Sequence, residues 1–173
     1  AGTVIIGGLT RIAKASSWLV PIMGGLYVLT ATLILITNFE DVPSVIKIIF
    51  SDAFTGTSVA GGTLMGVIMY GIQRGAFSNE AGIGTEALIH GTAKTNNPIK
   101  QGFVAMIGPI FDTLLICTAT AVVIILSGLW MGDQYSGVSL TAMAFQAFLG
   151  SAGIAVVFLC VVFFGISTIF TYS

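Results

Sequence analysis

Residues 58–86 read SVAGGTLMGVIMYGIQRGAFSNEAGIGTE, an apolar stretch that turns polar without a clear end. Its apolar half, Ser58 to Tyr70, is too short to cross a hydrocarbon core of about 30 Å, which takes about 20 residues in a helix. The polar half, RGAFSNEAGIGTE, gathers an arginine, an asparagine, two glutamates and three glycines in one short run. Beyond it, EALIHGTAK has the composition of a few further helical turns. The pattern predicts a helix broken inside a membrane. A cytoplasmic loop joining two ordinary elements is the alternative.

Composition places the whole chain in that setting. The 173 residues are 55% hydrophobic and 8% charged, with a mean hydropathy of +1.03; soluble domains carry roughly 25% charged residues. The formal net charge of −1 and the lack of a basic block argue against a nucleic-acid partner. Cys117 and Cys160 lie in apolar runs and read as small packing residues rather than a disulfide. No phosphate loop, paired-cysteine motif or nucleophile elbow is present, and His90 is the only histidine, so the sequence offers little for an enzyme. A channel or structural subunit is a rival reading, but no ring-forming filter is visible.

Working outward from the polar run, three further segments are apolar enough to span. The first is Trp18 to Thr37, with Pro21 near its start, preceded by the basic stretch LTRIAKASS. The third runs from Gly102 to Trp130 and contains Pro109 and Asp112. The fourth runs from about Leu140 to Ser173. Between the first two, DVPSVIKIIFSDAF suits a short helix in the interface plane. The expected architecture is an all-α membrane protein with four transmembrane helices, the second broken, residues 1–173 forming one membrane-embedded unit. The chain ends in mid-pattern at FFGISTIFTYS and is expected to be an internal piece of a longer protein. Arg11, Lys14, Lys94 and Lys100 fall on one side of the membrane if the spans alternate, and the excess of basic residues marks that side as cytoplasmic. The first span then runs from inside to outside.

The chemistry of a broken helix directs attention to particular residues. Non-helical backbone at membrane depth is tolerated only in protein or beside a watery cavity. There a helix N-terminus can face a carboxylate while unwound carbonyls face a cation. Gly71 and Gly75 allow unusual backbone angles, and Ser78 or Asn79 can cap a new helix that has Glu80 in its first turn. Arg74 and Glu80 either pair and snorkel or hold the break in shape. Asp112, in FDTLLICTAT, needs a partner, a cavity or a proton. Ser167 and Thr168 read first as hydroxyls bonded to the carbonyl one turn back, and second as oxygen ligands for sodium.

RGAFSNEAGIGTEALIHGTAKTNNPIKQG, followed by FDTLLICTAT, resembles the signature region of the sodium:alanine symporter family, also described as alanine or glycine:cation symporters. LVPIMGGLYVL and FGISTIFTYS extend the likeness over nearly the whole chain. The resemblance implies a LeuT-like fold of two inverted five-helix repeats, in which the four spans would be helices five to eight. It implies symport of a small neutral amino acid, alanine or glycine, with a co-transported sodium ion across the cytoplasmic membrane. On that mapping Gly75, Phe77, Ser78 and Asn79 line the substrate site or its unwound backbone. Ser167 and Thr168 complete a sodium site, Thr168 also faces the substrate, and Tyr172 closes the pocket. The other partners implied are the lipid bilayer and the remaining helices of the same transporter, because helix one, with the other half of the site, is not in this sequence.

Overall fold

The computed structural model describes residues 9–54, 64–79, 84, 87, 90–91, 93–132 and 134–171. All regular structure among them is helical. Helix α1 is Leu9–Thr37 and α2 is Val42–Phe54. Helix α3 is Leu64–Ser78. Helix α4 spans Pro98–Ser127 without a break, α5 is Val138–Leu149 and α6 is Ser151–Thr171.

At about 1.5 Å per residue these lengths decide which helices can cross a bilayer. Three qualify among the described residues: Ser17–Thr37 within α1, Pro98–Ser127, and Ser151–Ile169 within α6. Helix α3, with 15 residues, reaches only about 22 Å. The fourth expected span is corrected by the structure, because Leu140 to Ser173 is not one helix. It divides at Gly150, whose φ of 62° and ψ of −142° lie in a region open essentially to glycine alone. The third span also begins earlier than Gly102. Asn97 caps it, its side-chain oxygen accepting from the backbone N–H of Ile99 at 3.0 Å and of Lys100 at 3.3 Å. Pro98 follows at the first helical position, where its missing N–H costs nothing.

Helix α4 is α-helical to Phe111, widens to a π-helix over Asp112–Cys117 and returns to α-helix at Thr118. The Thr118 hydroxyl spans the widened turn, donating to the Thr113 carbonyl at 3.0 Å. Pro109, just before this segment, already lacks the N–H that would continue the regular ladder.

The helices meet in a small apolar core of Ala31, Ile34, Val123, Ala144, Phe145 and Val157. Tyr27 joins α1 to α4 by a 2.6 Å hydrogen bond between its hydroxyl and that of Thr120, and its ring lies 5.3 Å from that of Phe145. The Cys160 thiol donates to the Met23 carbonyl at 3.7 Å, which joins α6 to α1. Outside this seam the surface is apolar: Trp18, Leu29, Ile36, Phe103, Phe158 and Phe164 are all exposed. A water-soluble protein would not leave so many large apolar groups uncovered, whereas lipid tails or further helices are suitable neighbours for them.

Candidate functional site

The helical ladder of α3 runs through Gly75, Phe77 and Ser78 without unwinding. This corrects the expectation that the break lies within those residues. A Cβ on Gly71 or Gly75 would meet open space, so no close approach requires glycine at either position. It stops at Asn79, whose backbone N–H still bonds the Gly75 carbonyl at 3.1 Å. The Asn79 side chain donates to the same carbonyl at 3.0 Å. Asn79 therefore closes the C-terminal end of α3, while the new helix that it was expected to cap falls outside the described residues. Glu80, and Glu86, Leu88, Ile89 and Thr92 of EALIHGTAK, lie outside the described residues.

The end of α3 rests on the π segment of α4. Ser78 Oγ donates to Asp112 Oδ2 at 2.7 Å, an ordinary length for a hydrogen bond from a hydroxyl to an oxygen. One residue on, Asn79 Nδ2 donates to Thr113 Oγ1 at 3.2 Å, and the Thr113 hydroxyl can donate back to Asn79 Oδ1 at 3.4 Å. Cys117 Sγ lies 3.7 Å from both Ser78 Oγ and Asp112 Oδ2. Asp112 thus has the partner that its place in an apolar helix demanded, a hydroxyl rather than a cation. Cys117 is exposed and belongs to this polar group rather than to packing, as its sequence context had suggested.

Arg74 turns back along its own helix, its guanidinium donating to the Tyr70 hydroxyl at 2.7 Å and lying 5.0 Å from the centre of that ring. His90 meets Gln101 Nε2 at 2.7 Å through Nδ1, beside the start of α4. Neither residue approaches Asp112 within hydrogen-bonding distance.

On α6, Ser167 Oγ donates to the Phe164 carbonyl at 2.8 Å and Thr168 Oγ1 donates to the same carbonyl at 2.9 Å. Both hydroxyls are back-bonded here, as the chemistry of adjacent hydroxyls on an apolar helix led one to expect. Ser167 is buried and Thr168 partly so. Tyr172 lies outside the described residues. A cavity of about 410 Å³ runs between α1, α4 and α6, and Tyr27, Asp112, Thr120, Cys160 and Phe164 are among its lining residues. Of the polar residues named from the sequence, Asp112 lines this space, whereas Ser78, Asn79, Ser167 and Thr168 are not among its lining residues. Asp112, Thr113 and Cys117 complete the polar junction; Asp112 was legible as an isolated charge, while Thr113 and Cys117 gave no sequence signal.

The family model of the sodium:alanine symporters matches residues 1–173. The chain belongs to the sodium:alanine symporter family. Among curated proteins, the uncharacterized transporter YflA of Bacillus subtilis is 42% identical over 97% of this chain, which spans 37% of that protein. The sodium/alanine symporter AgcS of Methanococcus maripaludis is 38% identical over 98% of the chain and 38% of its own length. The probable sodium/glutamine symporter GlnT of Bacillus subtilis is 37% identical over 95% of the chain and 34% of its own length. The chain therefore spans little more than a third of these relatives. The family is one of symporters, not of enzymes, and the chain is accordingly part of a multi-pass protein of the cell membrane.

Proposed function

We propose that the chain forms part of a secondary transporter that carries a small neutral amino acid, alanine or glycine, together with sodium. The observation that carries this reading is the polar junction of Ser78, Asn79, Asp112 and Thr113 halfway along an apolar helix, in a chain that matches the symporter family throughout. Asp112 is the fifteenth of the 30 residues of Pro98–Ser127. A polar group at that depth is costly in lipid and belongs beside a substrate path.

In this reading the fold is LeuT-like and the expected spans are helices five to eight, with α3 as the first half of the broken helix six. The end of α3 at Asn79 is the rim of the substrate site, and its last carbonyls face the ammonium end of the amino acid or the ion. Gly75 leaves room for the substrate backbone, and Phe77, exposed on α3, supplies a wall. Ser167 and Thr168 turn their hydroxyl oxygens from the Phe164 carbonyl to a sodium ion, a hard cation served by neutral oxygens. Tyr172 closes the pocket. Alternating access follows from rocking of the helix bundle around this site.

The test is uptake of labelled alanine into vesicles containing the full-length protein, with and without a sodium gradient. Glycine and glutamine serve as competitors, since one relative is named for glutamine. Sodium-driven uptake inhibited by unlabelled alanine or glycine supports the reading, and no sodium-dependent uptake of any of the three overturns it. Pockets of this kind discriminate one methylene by only about 1–3 kcal/mol, so partial competition by the neighbouring amino acid is expected.

A further inference from the structure

The π segment has a consequence for the residues that meet at it. In an α-helix, side chains five positions apart point about 140° away from each other, because each residue turns about 100°. A π turn instead brings residue i and residue i+5 onto one face. Asp112 and Cys117 are such a pair, and Cys117 Sγ lies 3.7 Å from Asp112 Oδ2. The widened turn therefore gathers a carboxylate and a thiol around one hydroxyl, that of Ser78. The Thr118 hydroxyl holds the turn open by occupying the Thr113 carbonyl.

The contacts across the junction are in register. Ser78 meets Asp112 and Asn79 meets Thr113, each pair 34 residues apart in sequence. These two bridges hold the last turn of α3, while its preceding side chains, from Ile68 to Gly75, are uncovered. We propose that the π segment Asp112–Cys117 is the joint that fixes the broken end of α3, with Asp112 the positioning residue for Ser78. The inference rests on the reading of Ser78 and Asn79 as substrate residues, and goes beyond it by assigning what holds them in place.

A carboxylate suits this task because, when ionised, it only accepts hydrogen bonds, so toward Asp112 the Ser78 hydroxyl can only donate. With its proton committed to Asp112, the Ser78 oxygen presents its lone pairs to whatever lies on the other side. Asparagine at 112 keeps a carbonyl acceptor but adds an amide donor that competes. Alanine removes the acceptor altogether and frees the hydroxyl to rotate.

Two measurements on the full-length protein in lipid vesicles test the joint. The first is independent of transport. Ser78→Cys, in a Cys160→Ser background, is expected to cross-link to Cys117 under mild oxidation with copper phenanthroline, read as a disulfide-linked peptide by mass spectrometry. Absence of that cross-link overturns the joint. The second is a double-mutant cycle on uptake. Asp112→Ala and Ser78→Ala are each expected to raise KM for alanine about tenfold with a smaller change in maximal rate, and the double variant is expected to be no worse than either single one. Additive effects overturn the positioning role, as does a failure of Asp112→Asn to recover most of the loss. Should Asp112→Ala not accumulate in the membrane, Asp112→Leu, which also lacks an acceptor, takes its place in the cycle. If the unmodified protein imports none of the amino acids, the symport reading fails while the cross-link still decides whether the joint exists.

Discussion

Asn79 carries two duties that can be separated by substitution. Its amide donates to the Gly75 carbonyl and to the Thr113 hydroxyl, so it both ends α3 and ties that end to α4. Asn79→Ala is expected to raise KM for the amino acid by about tenfold, measured as uptake in vesicles, because the neutral hydrogen bonds to the Gly75 carbonyl and the Thr113 hydroxyl are lost together. Unchanged uptake would remove Asn79 from the site. On α6, Ser167 and Thr168 share one acceptor, the Phe164 carbonyl. Ser167→Ala with Thr168→Ala is expected to weaken the sodium dependence of uptake first, seen as a higher sodium concentration for half-maximal rate. Loss of amino-acid affinity at saturating sodium would instead place the pair in the substrate pocket. Among these residues the sequence marked Ser78, Asn79 and Asp112 as out of place in lipid, because polarity against an apolar background is a local property. Which of them touch was not legible, since the contacts join positions 34 apart.

The corner between α5 and α6 shows how a single small residue sets the approach of two helices. A Cβ on Gly153 would meet the Phe145 carbonyl oxygen, lying 2.6 Å from its carbon and 3.0 Å from the Gln146 nitrogen. These are backbone atoms and cannot swing aside. Gly153→Ala is therefore expected to destabilise the protein by about 1–3 kcal/mol or more, as overpacking does. A thermal unfolding midpoint in detergent that matched the unsubstituted protein would contradict the close approach. Continuous apolar character hid this corner in the sequence: hydropathy from Leu140 onward reads as one span, and it does not register that Gly150 turns the chain. The same limit applies to α3, where glycines suggested unwinding. Gly75 is helical all the same, and a Cβ there would meet open space.

Across the molecule, the seam contacts also set helix direction. Tyr27 with Thr120, and the cavity that joins Val20 and Met23 to Asp112 and Ile116, make α1 and α4 run parallel. Met23 with Cys160, and the core shared by Ile34 and Val157, make α6 antiparallel to them. The basic starts of α1 and α4 therefore share one side, in keeping with the lysine and arginine pattern. Cysteine introduced at Lys14 or Lys100 is expected to react with an impermeant thiol reagent only from the cytoplasmic face, and at Lys47 only from the outer face. Labelling of Lys14→Cys and Lys100→Cys from opposite faces would contradict the parallel arrangement.

The sequence by itself determined that this chain lives in a bilayer, that it is helical, and that its polar interruption lies within residues 74–86. It did so because the cost of burying polar groups in hydrocarbon is read residue by residue. Only the tertiary structure decided what the interruption rests on. A carboxylate in an apolar helix is an open question until another helix brings a donor to it, and the π turn at Asp112 settles which donor by changing the face that the side chains share.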